Sequence, residues 1–293
     1  MKKWGLICFV IVFIFIVVGC SNNQVNNEPN ENEQNDGDME NEDNNELVEV
    51  DENNNNDDLE VDQNNADNEG NQGNEEEEVI EVVDPLYEMS GASVVPIDDA
   101  PANIVLLTID DAFLSTNNDY SVEMAQILTE LDAGAIFFVN GQRLQSEEDR
   151  AKLLEIYNMG FEIGNHSMTH PNFSQISEEQ QRNEIVELND IIEEITGERP
   201  RFFRAPFGVN TDTSKAIVEE EEMQWMNWSY GYDWEQGYME AEPLAEIMVE
   251  TPYLRDGANL LMHDRHFTRD ALRDIVIGLR EKGFEIVNPG LIK

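Results

Sequence analysis

From Asn103 onward the chain alternates between two kinds of hydrophobic pattern. Ile104-Val105-Leu106-Leu107-Thr108-Ile109 is an unbroken β-branched and aliphatic run, the mark of a strand buried on both faces. Val122, Ala125, Ile127, Leu128 and Leu131 then recur at helical spacing. Ala135 to Val139 reads as a second strand, Arg150 to Asn158 as a helix and Phe161 to Gly164 as a short third strand. Ser177-Glu178-Glu179-Gln180 has the form of a capping box, followed by Ile185, Leu188, Ile192 and Ile195 on one face and by Gly197 as a stop. The remaining pattern predicts strands at 202–204, 223–228, 259–262 and 284–287, and helices at 213–221, 243–250 and 268–282. Strand-then-helix alternation argues for a parallel sheet. Seven or so such units, with polar residues at the strand ends, favour closure into an irregular (β/α) barrel of the α/β class over residues 100–293.

The first hundred residues have no such pattern. Lys2 and Lys3 precede an uncharged apolar stretch, Trp4 to Gly19, that is short for a bilayer span of about 20 residues and reads as an export signal. Its end, Val17-Val18-Gly19-Cys20-Ser21, resembles the bacterial lipoprotein signal, in which the cysteine is lipidated and becomes the new N-terminus. An uncleaved anchor helix with its lysines held inside is the other reading. Either places the rest of the chain at the extracytoplasmic face of the membrane, with Cys20 as the lipidation site in the first case. Residues 21–95 then read as a disordered linker. Between Ser21 and Asp84 lie 24 acidic residues and 19 Asn with no Lys or Arg, too few apolar groups to offset the entropy of ordering. As a coil this segment spans about 45 Å, and charge repulsion extends it further.

The formal charge of the whole chain is −46, which excludes phosphate recognition by a basic face and so makes nucleic acid a poor partner. Two cysteines, one inside the apolar leader, exclude a disulfide framework.

The candidate chemistry sits at predicted strand ends. Asp110-Asp111 follow the first buried run at its C-terminal end, where barrel enzymes place their active sites. His166 and His170 stand at i and i+4, a spacing that on a helical turn points both imidazoles one way, though such a pair alone is more often incidental. One Asp with two His gives three ligands and an open fourth position, as in a hydrolytic zinc site, and leaves the second Asp to receive a proton. Arg204 ends another strand, where a cation would hold a carboxylate ionised and oriented. Asp233-Trp234 and Leu261-Met262-His263-Asp264 end two later segments.

Taken in order, these five segments resemble the NodB-type polysaccharide deacetylases, carbohydrate esterase family 4. Thr108-Ile109-Asp110-Asp111-Ala112 stands for Thr-Phe-Asp-Asp-Gly, His166 to His170 for His-Ser/Thr-x-x-His, Arg204-Ala205-Pro206-Phe207 for Arg-x-Pro-Tyr/Phe, Asp233-Trp234 for the end of Asp-x-x-Asp-Trp, and Leu261-Met262-His263 for Leu-x-His. The resemblance implies a deacetylase-type barrel and a divalent metal, zinc first and cobalt or another ion as an alternative, held by Asp111, His166 and His170. It implies Asp110 as general base, His263 as general acid tuned by Asp233, Arg204 as the partner of Asp110, the Phe207 amide at the oxyanion, and Trp234 with Leu261 around the acetyl methyl. The implied substrate is an acetylated cell-wall or envelope polysaccharide, GlcNAc or MurNAc of peptidoglycan first, acted on by a monomer. Two departures bear on activity: Ala112 replaces a glycine whose backbone could need φ above zero, and Tyr230 stands where the fourth segment has its first Asp. An O-acetyl esterase, a weakly active or inactive wall-binding lipoprotein and a non-haem iron oxygenase are the competing readings. His266 fits no position of the pattern and reads as a surface residue.

Overall fold

A computed structural model of the chain describes residues 84–112 and 120–293. The leader, Cys20 and the acidic segment as far as residue 83 lie outside the described residues. The expected linker boundary at residue 95 is corrected: β1 (Tyr87–Ser90) and β2 (Ser93–Pro96) form an antiparallel hairpin. Ser93 of β2 pairs with Ala258, and Gly91 at φ 62 supplies the tight turn.

The barrel proper follows. Its parallel strands are β3 (Ile104–Ala112), β4 (Ile136–Val139), β5 (Glu162–Asn165), β6 (Phe202–Phe203), β7 (Gln224–Trp225) and β8 (Ala258–His263). They are ordered β8-β3-β4-β5-β6-β7, and β9 (Glu285–Ile286) pairs with the start of β3. Beyond β7 the chain returns to β8, where Tyr230 bridges to Leu260 and nearly closes the barrel. Among the described residues, six helices cover the outside: α1 (Ser121–Glu130), α2 (Glu147–Asn158), α3 (Glu178–Thr196), α4 (Asp212–Glu220), α5 (Ala241–Glu250) and α6 (His266–Glu281).

Local chemistry accounts for the boundaries. Helix α3 has the reciprocal Ser177–Gln180 capping box and ends on Gly197 at φ 84. Helix α2 begins three residues earlier than its apolar spacing suggests, because the Ser146 side chain caps it and Glu147, Glu148 and Asp149 favour its positive end. The predicted strand at 223–228 shortens to β7. Beyond it the Asn227 amide donates to the carbonyl of Gly208 and carries the chain out of the ladder.

Strand periodicity divides the core into two layers. Val105, Leu107 and Ile109 of β3, with Phe137 and Val139 of β4 and Leu260 and Met262 of β8, pack under the helices. Ile104, Leu106, Ile136, Phe138 and Phe202 fill the barrel interior, joined by Tyr87 and Val94 of the hairpin. The same inward parity, continued toward the C-terminal ends of the strands, gives Thr108, Asp110, Arg204, Asn259 and His263, a polar layer on an apolar floor.

Candidate active site

Asp110 and Asp111 are consecutive on β3, and strand alternation alone would send them to opposite faces. Asp111 instead has φ 55, and the β3–β4 register shifts between Ile109 and Ala112. Asp is one of the few residues that tolerates this left-handed conformation. Both carboxylates therefore reach the barrel mouth: His166 Nε2 lies 3.6 Å from Asp110 Oδ2 and 4.0 Å from Asp111 Oδ1, and His170 Nε2 lies 3.7 Å from Asp111 Oδ1. The left-handed residue is Asp111 and not Ala112, which is fully buried against the core, so replacing the glycine carries no φ strain.

The two imidazoles converge, but without the helical turn that their spacing suggested. They lie on a loop after β5 in which Ser167 has φ 70 and His170 φ 61. The rings stand edge to face with centroids 5.0 Å apart. Burial and the neighbouring His166 hold His170 below the ordinary imidazole pKa. The carbonyl of Arg204 lies 2.7 Å from His166 Nδ1, which assigns the ring proton to Nδ1 and leaves the Nε2 lone pair facing the carboxylates.

One donor atom each from Asp111, His166 and His170 falls within 4.8 Å of the others. Ligands about 2.0–2.1 Å from a tetrahedral zinc sit about 3.4 Å apart, so this oxygen and two nitrogens need only a few tenths of an ångström to more than an ångström of closure. The donor types and the anchored Nδ1 of His166 fit such an ion.

Arg204 stands beside this group and is fully buried. It donates to Asp110 Oδ1 and Thr108 Oγ1, both at 2.7 Å, and its guanidinium carbon lies 4.4 Å from the centre of the Phe138 ring. Full burial works against its charge and the Asp110 carboxylate works for it. On β8, in register with Asp110, His263 Nδ1 lies 2.7 Å from Asp233 Oδ1, while Asp233 Oδ2 accepts the His263 backbone N–H at 2.6 Å and the Thr268 hydroxyl at 3.0 Å. Burial lowers the His263 pKa, but the hydrogen bond and charge of Asp233, aided by Asp110 and Asp111, leave it raised. Trp234 stands edge-on to His263 at 5.4 Å, and Leu261 is buried on β8. Phe207 is 63% exposed, lies in a tight turn at φ 58 and packs its ring 4.8 Å from His170.

Tyr230 takes no place at the site: it is buried in the core and its hydroxyl donates to the carbonyl of Met248 at 2.8 Å. His266 is exposed, as expected. Sequence reading missed Asn259, whose Oδ1 lies 3.2 Å from both Thr108 Oγ1 and an Arg204 nitrogen, and Asn165, whose side chain ties the histidine loop to α3. It also missed that Asp264 accepts the Tyr120 N–H and the Ser121 hydroxyl at the start of α1. A cavity of about 580 Å³ lies at the opposite end of the barrel, lined by Tyr87, Gly134, Phe161 and Arg280, away from all of these groups.

The sequence model of the polysaccharide deacetylase family matches residues 98–226. A peptidoglycan-N-acetylglucosamine deacetylase of Bacillus cereus is 30% identical over 193 residues, covering 63% of this chain and 85% of that protein. The chain belongs to the polysaccharide deacetylase family. Another member, the peptidoglycan-N-acetylmuramic acid deacetylase PdaC of Bacillus subtilis, is 28% identical across 64% of this chain and 38% of its own length. Its solved structure superimposes with a TM-score of 0.55 at 26% identity, over 65% of this chain and 90% of that one. A pseudoenzyme of carbohydrate esterase family 4 from Bacillus anthracis superimposes with a TM-score of 0.57 at 30% identity, over 64% of this chain and 63% of that one. The deacetylase-family chain spans 51%, 66% and 38% of the length of three curated relatives that it matches.

Proposed function

We propose that this chain is a metal-dependent hydrolase that removes N-acetyl groups from a cell-wall or envelope polysaccharide, with GlcNAc or MurNAc of peptidoglycan as the substrate sugar. The observation that carries the reading is the convergence of Asp111, His166 and His170 within 4.8 Å, beside the Asp110–Arg204 pair and next to the His263–Asp233 pair. The relatives' named activities support the substrate class, including a chitooligosaccharide deacetylase of Sinorhizobium fredii that is 27% identical and 93% covered. The leader ending in Cys20 supports a lipid anchor, with the acidic segment as tether and the domain working as a monomer at the extracytoplasmic face of the membrane.

A divalent cation held by Asp111, His166 and His170, zinc on the chemistry of the donors with cobalt as a substitute, supplies Lewis acidity toward the acetyl carbonyl. Asp110, oriented by Arg204, takes a proton from the attacking water. The Phe207 amide stabilises the charge that develops on the carbonyl oxygen. His263, held charged and oriented by Asp233, gives its proton to the amine as the C–N bond breaks. Trp234 and Leu261 wall the space for the acetyl methyl.

Acetate release from purified peptidoglycan and from N-acetylated chito-oligomers tests the reading, with Asp110→Asn as control. The parent releases acetate, and the variant loses about 10²–10⁴-fold, the usual contribution of a positioned base. An O-acetylated glycan assayed in parallel separates amide from ester cleavage. A zinc-loaded parent that releases no acetate from any of these overturns the proposal. The pseudoenzyme relative and the core position of Tyr230 favour one second reading, a glycan-binding protein without turnover.

A further inference from the structure

The loop that carries both histidines holds two residues, Ser167 and His170, at positive φ. Non-glycine residues in this region cost about 1–3 kcal/mol each unless their surroundings impose the conformation. Here the surroundings are explicit, because every backbone N–H from His166 to His170 has an acceptor. His166 donates to Val139 O at 2.9 Å, Ser167 to Asn165 Oδ1 at 2.8 Å and His170 to Ser167 Oγ at 3.0 Å. The remaining two go to one residue: Met168 N donates to Glu184 O at 2.9 Å and Thr169 N to Glu184 Oε2 at 2.7 Å. The Thr169 hydroxyl completes the grip, donating to Glu184 Oε1 at 2.5 Å.

We infer that Glu184 is a positioning residue that preorganises the His166–His170 donor pair for its cation. Glu184 lies on α3, outside all five segments of the family pattern, and its carboxylate is committed to Thr169. From the rigid helix it fixes the middle of the loop at three points, while Gly141 N and Gln142 N donate to the carbonyls of Ser167 and Met168 from the other side. With the Glu184 side chain truncated, the loop keeps the Met168 contact to the backbone carbonyl but loses both contacts at Thr169, between its two left-handed residues, and relaxes there, which separates the imidazoles. The inference rests on the metal-centre reading given above.

The test uses the full chain and Zn²⁺ in competition with a chromogenic chelator, with His166→Ala marking binding outside the site, and the visible spectrum of the Co²⁺ form as a second readout. Glu184→Ala is expected to weaken Zn²⁺ about 10- to 100-fold, the usual effect of removing an outer partner of a metal ligand, and to change the Co²⁺ spectrum. Glu184→Gln keeps an acceptor for Thr169 N and a donor for its hydroxyl, so it restores most of the affinity. Thr169→Val, a mild change that keeps the backbone contact, costs about 3- to 10-fold, roughly one hydrogen bond. A loss under tenfold in Glu184→Ala overturns the inference, as does a Glu184→Gln variant as weak as Glu184→Ala. Should Glu184→Ala not fold, parent-like affinity in Thr169→Val overturns it instead. Equal Zn²⁺ binding by the parent and His166→Ala overturns the metal-centre reading and this inference together. Tight parental binding left unchanged by Glu184→Ala overturns the inference alone.

Discussion

Replacing Asp233 with Asn tests whether His263 acts as a proton donor held in its charged form. Asp233 is fully buried and gives both oxygens to its neighbours, Oδ1 to His263 Nδ1 at 2.7 Å, and Oδ2 to the His263 N–H and the Thr268 hydroxyl. Burial by itself disfavours the imidazolium, and Asp233 reverses that effect, so the His263 pKa stands above its ordinary value. Asn keeps the shape and one acceptor oxygen, loses the charge, and sets an NH2 donor where the other oxygen accepted, a loss of stability that is the same at every pH. A hydrogen bond to a charged group contributes about 1.5–3 kcal/mol and a neutral one about 0.5–1.5, so the imidazolium loses roughly 1–2 kcal/mol relative to the neutral ring. At 1.36 kcal/mol per tenfold, that is about a 5- to 30-fold loss in kcat/KM at pH above both folded pKa values, shrinking to none below them. The sign follows from the direction of the shift. The parent's donor is protonated below its raised pKa and activity falls as pH rises through it; in Asp233→Asn that fall begins at lower pH. The assay is kcat/KM for acetate release from an N-acetylated chito-oligomer across pH, with metal kept saturating. Linkage gives a second readout. A pKa raised by folding contributes stability that is complete below the ordinary histidine value of about 6.5 and is lost as pH rises through the folded value. The variant should therefore melt below the parent in acid, with a gap that narrows in alkali. An alkaline limb at the same pH in both proteins would refute the assignment of His263 as the acid.

Arg204→Met leaves Asp110 and Thr108 buried without their cation and should cost about 3–5 kcal/mol of stability in urea unfolding; a cost below about 1 kcal/mol contradicts the importance given to that pair. Gly257 has φ 68, and a Cβ there would meet Val94 O at 1.9 Å, so Gly257→Ala should lose about 2 kcal/mol or more in thermal melts. Gly160, at φ 90 with open space around it, is the paired control, and Gly160→Ala should lose only about 1–2 kcal/mol of backbone strain. Chelation should lower the melting temperature and Zn²⁺ should restore it, by about 2.7 kcal/mol at a hundredfold excess over Kd. The response should vanish in His166→Ala.

The residues that were legible in the sequence are those fixed by strand parity. Once Ile104 to Ile109 is read as a strand, a two-residue period carries Ile104 and Leu106 into the barrel interior and Thr108 and Asp110 above them at the mouth. The same counting places Arg204 beyond Phe202 on β6, and Asn259 and His263 on one face of β8. A buried run ending in polar groups therefore reports both the strand and the end of it that does chemistry. Parity fails where the chain leaves the ladder. It assigns Asp111 to the outer face, and only a left-handed turn at that residue, with the register shift beside it, returns the carboxylate to the site. It says nothing of His166 and His170, whose convergence depends on two more left-handed residues and not on the helical period that their spacing suggested. Nor does it find the supporting groups. Glu184 is a polar residue on an amphipathic helix, where a charged side chain is the ordinary solvated case, and the role proposed for that side chain runs through Thr169, fifteen positions away. The hairpin was hidden for a different reason: its two strands of four residues adjoin an acidic, Asn-rich stretch whose composition dominates any window long enough to average. Gly91-Ala92 between Tyr87-Glu88-Met89-Ser90 and Ser93-Val94-Val95-Pro96 was the available signal, a two-residue turn opened by glycine. Side chains fixed by the ladder can thus be read from order along the chain, whereas the three residues proposed as metal ligands are brought together by departures from it, at Asp111, Ser167 and His170.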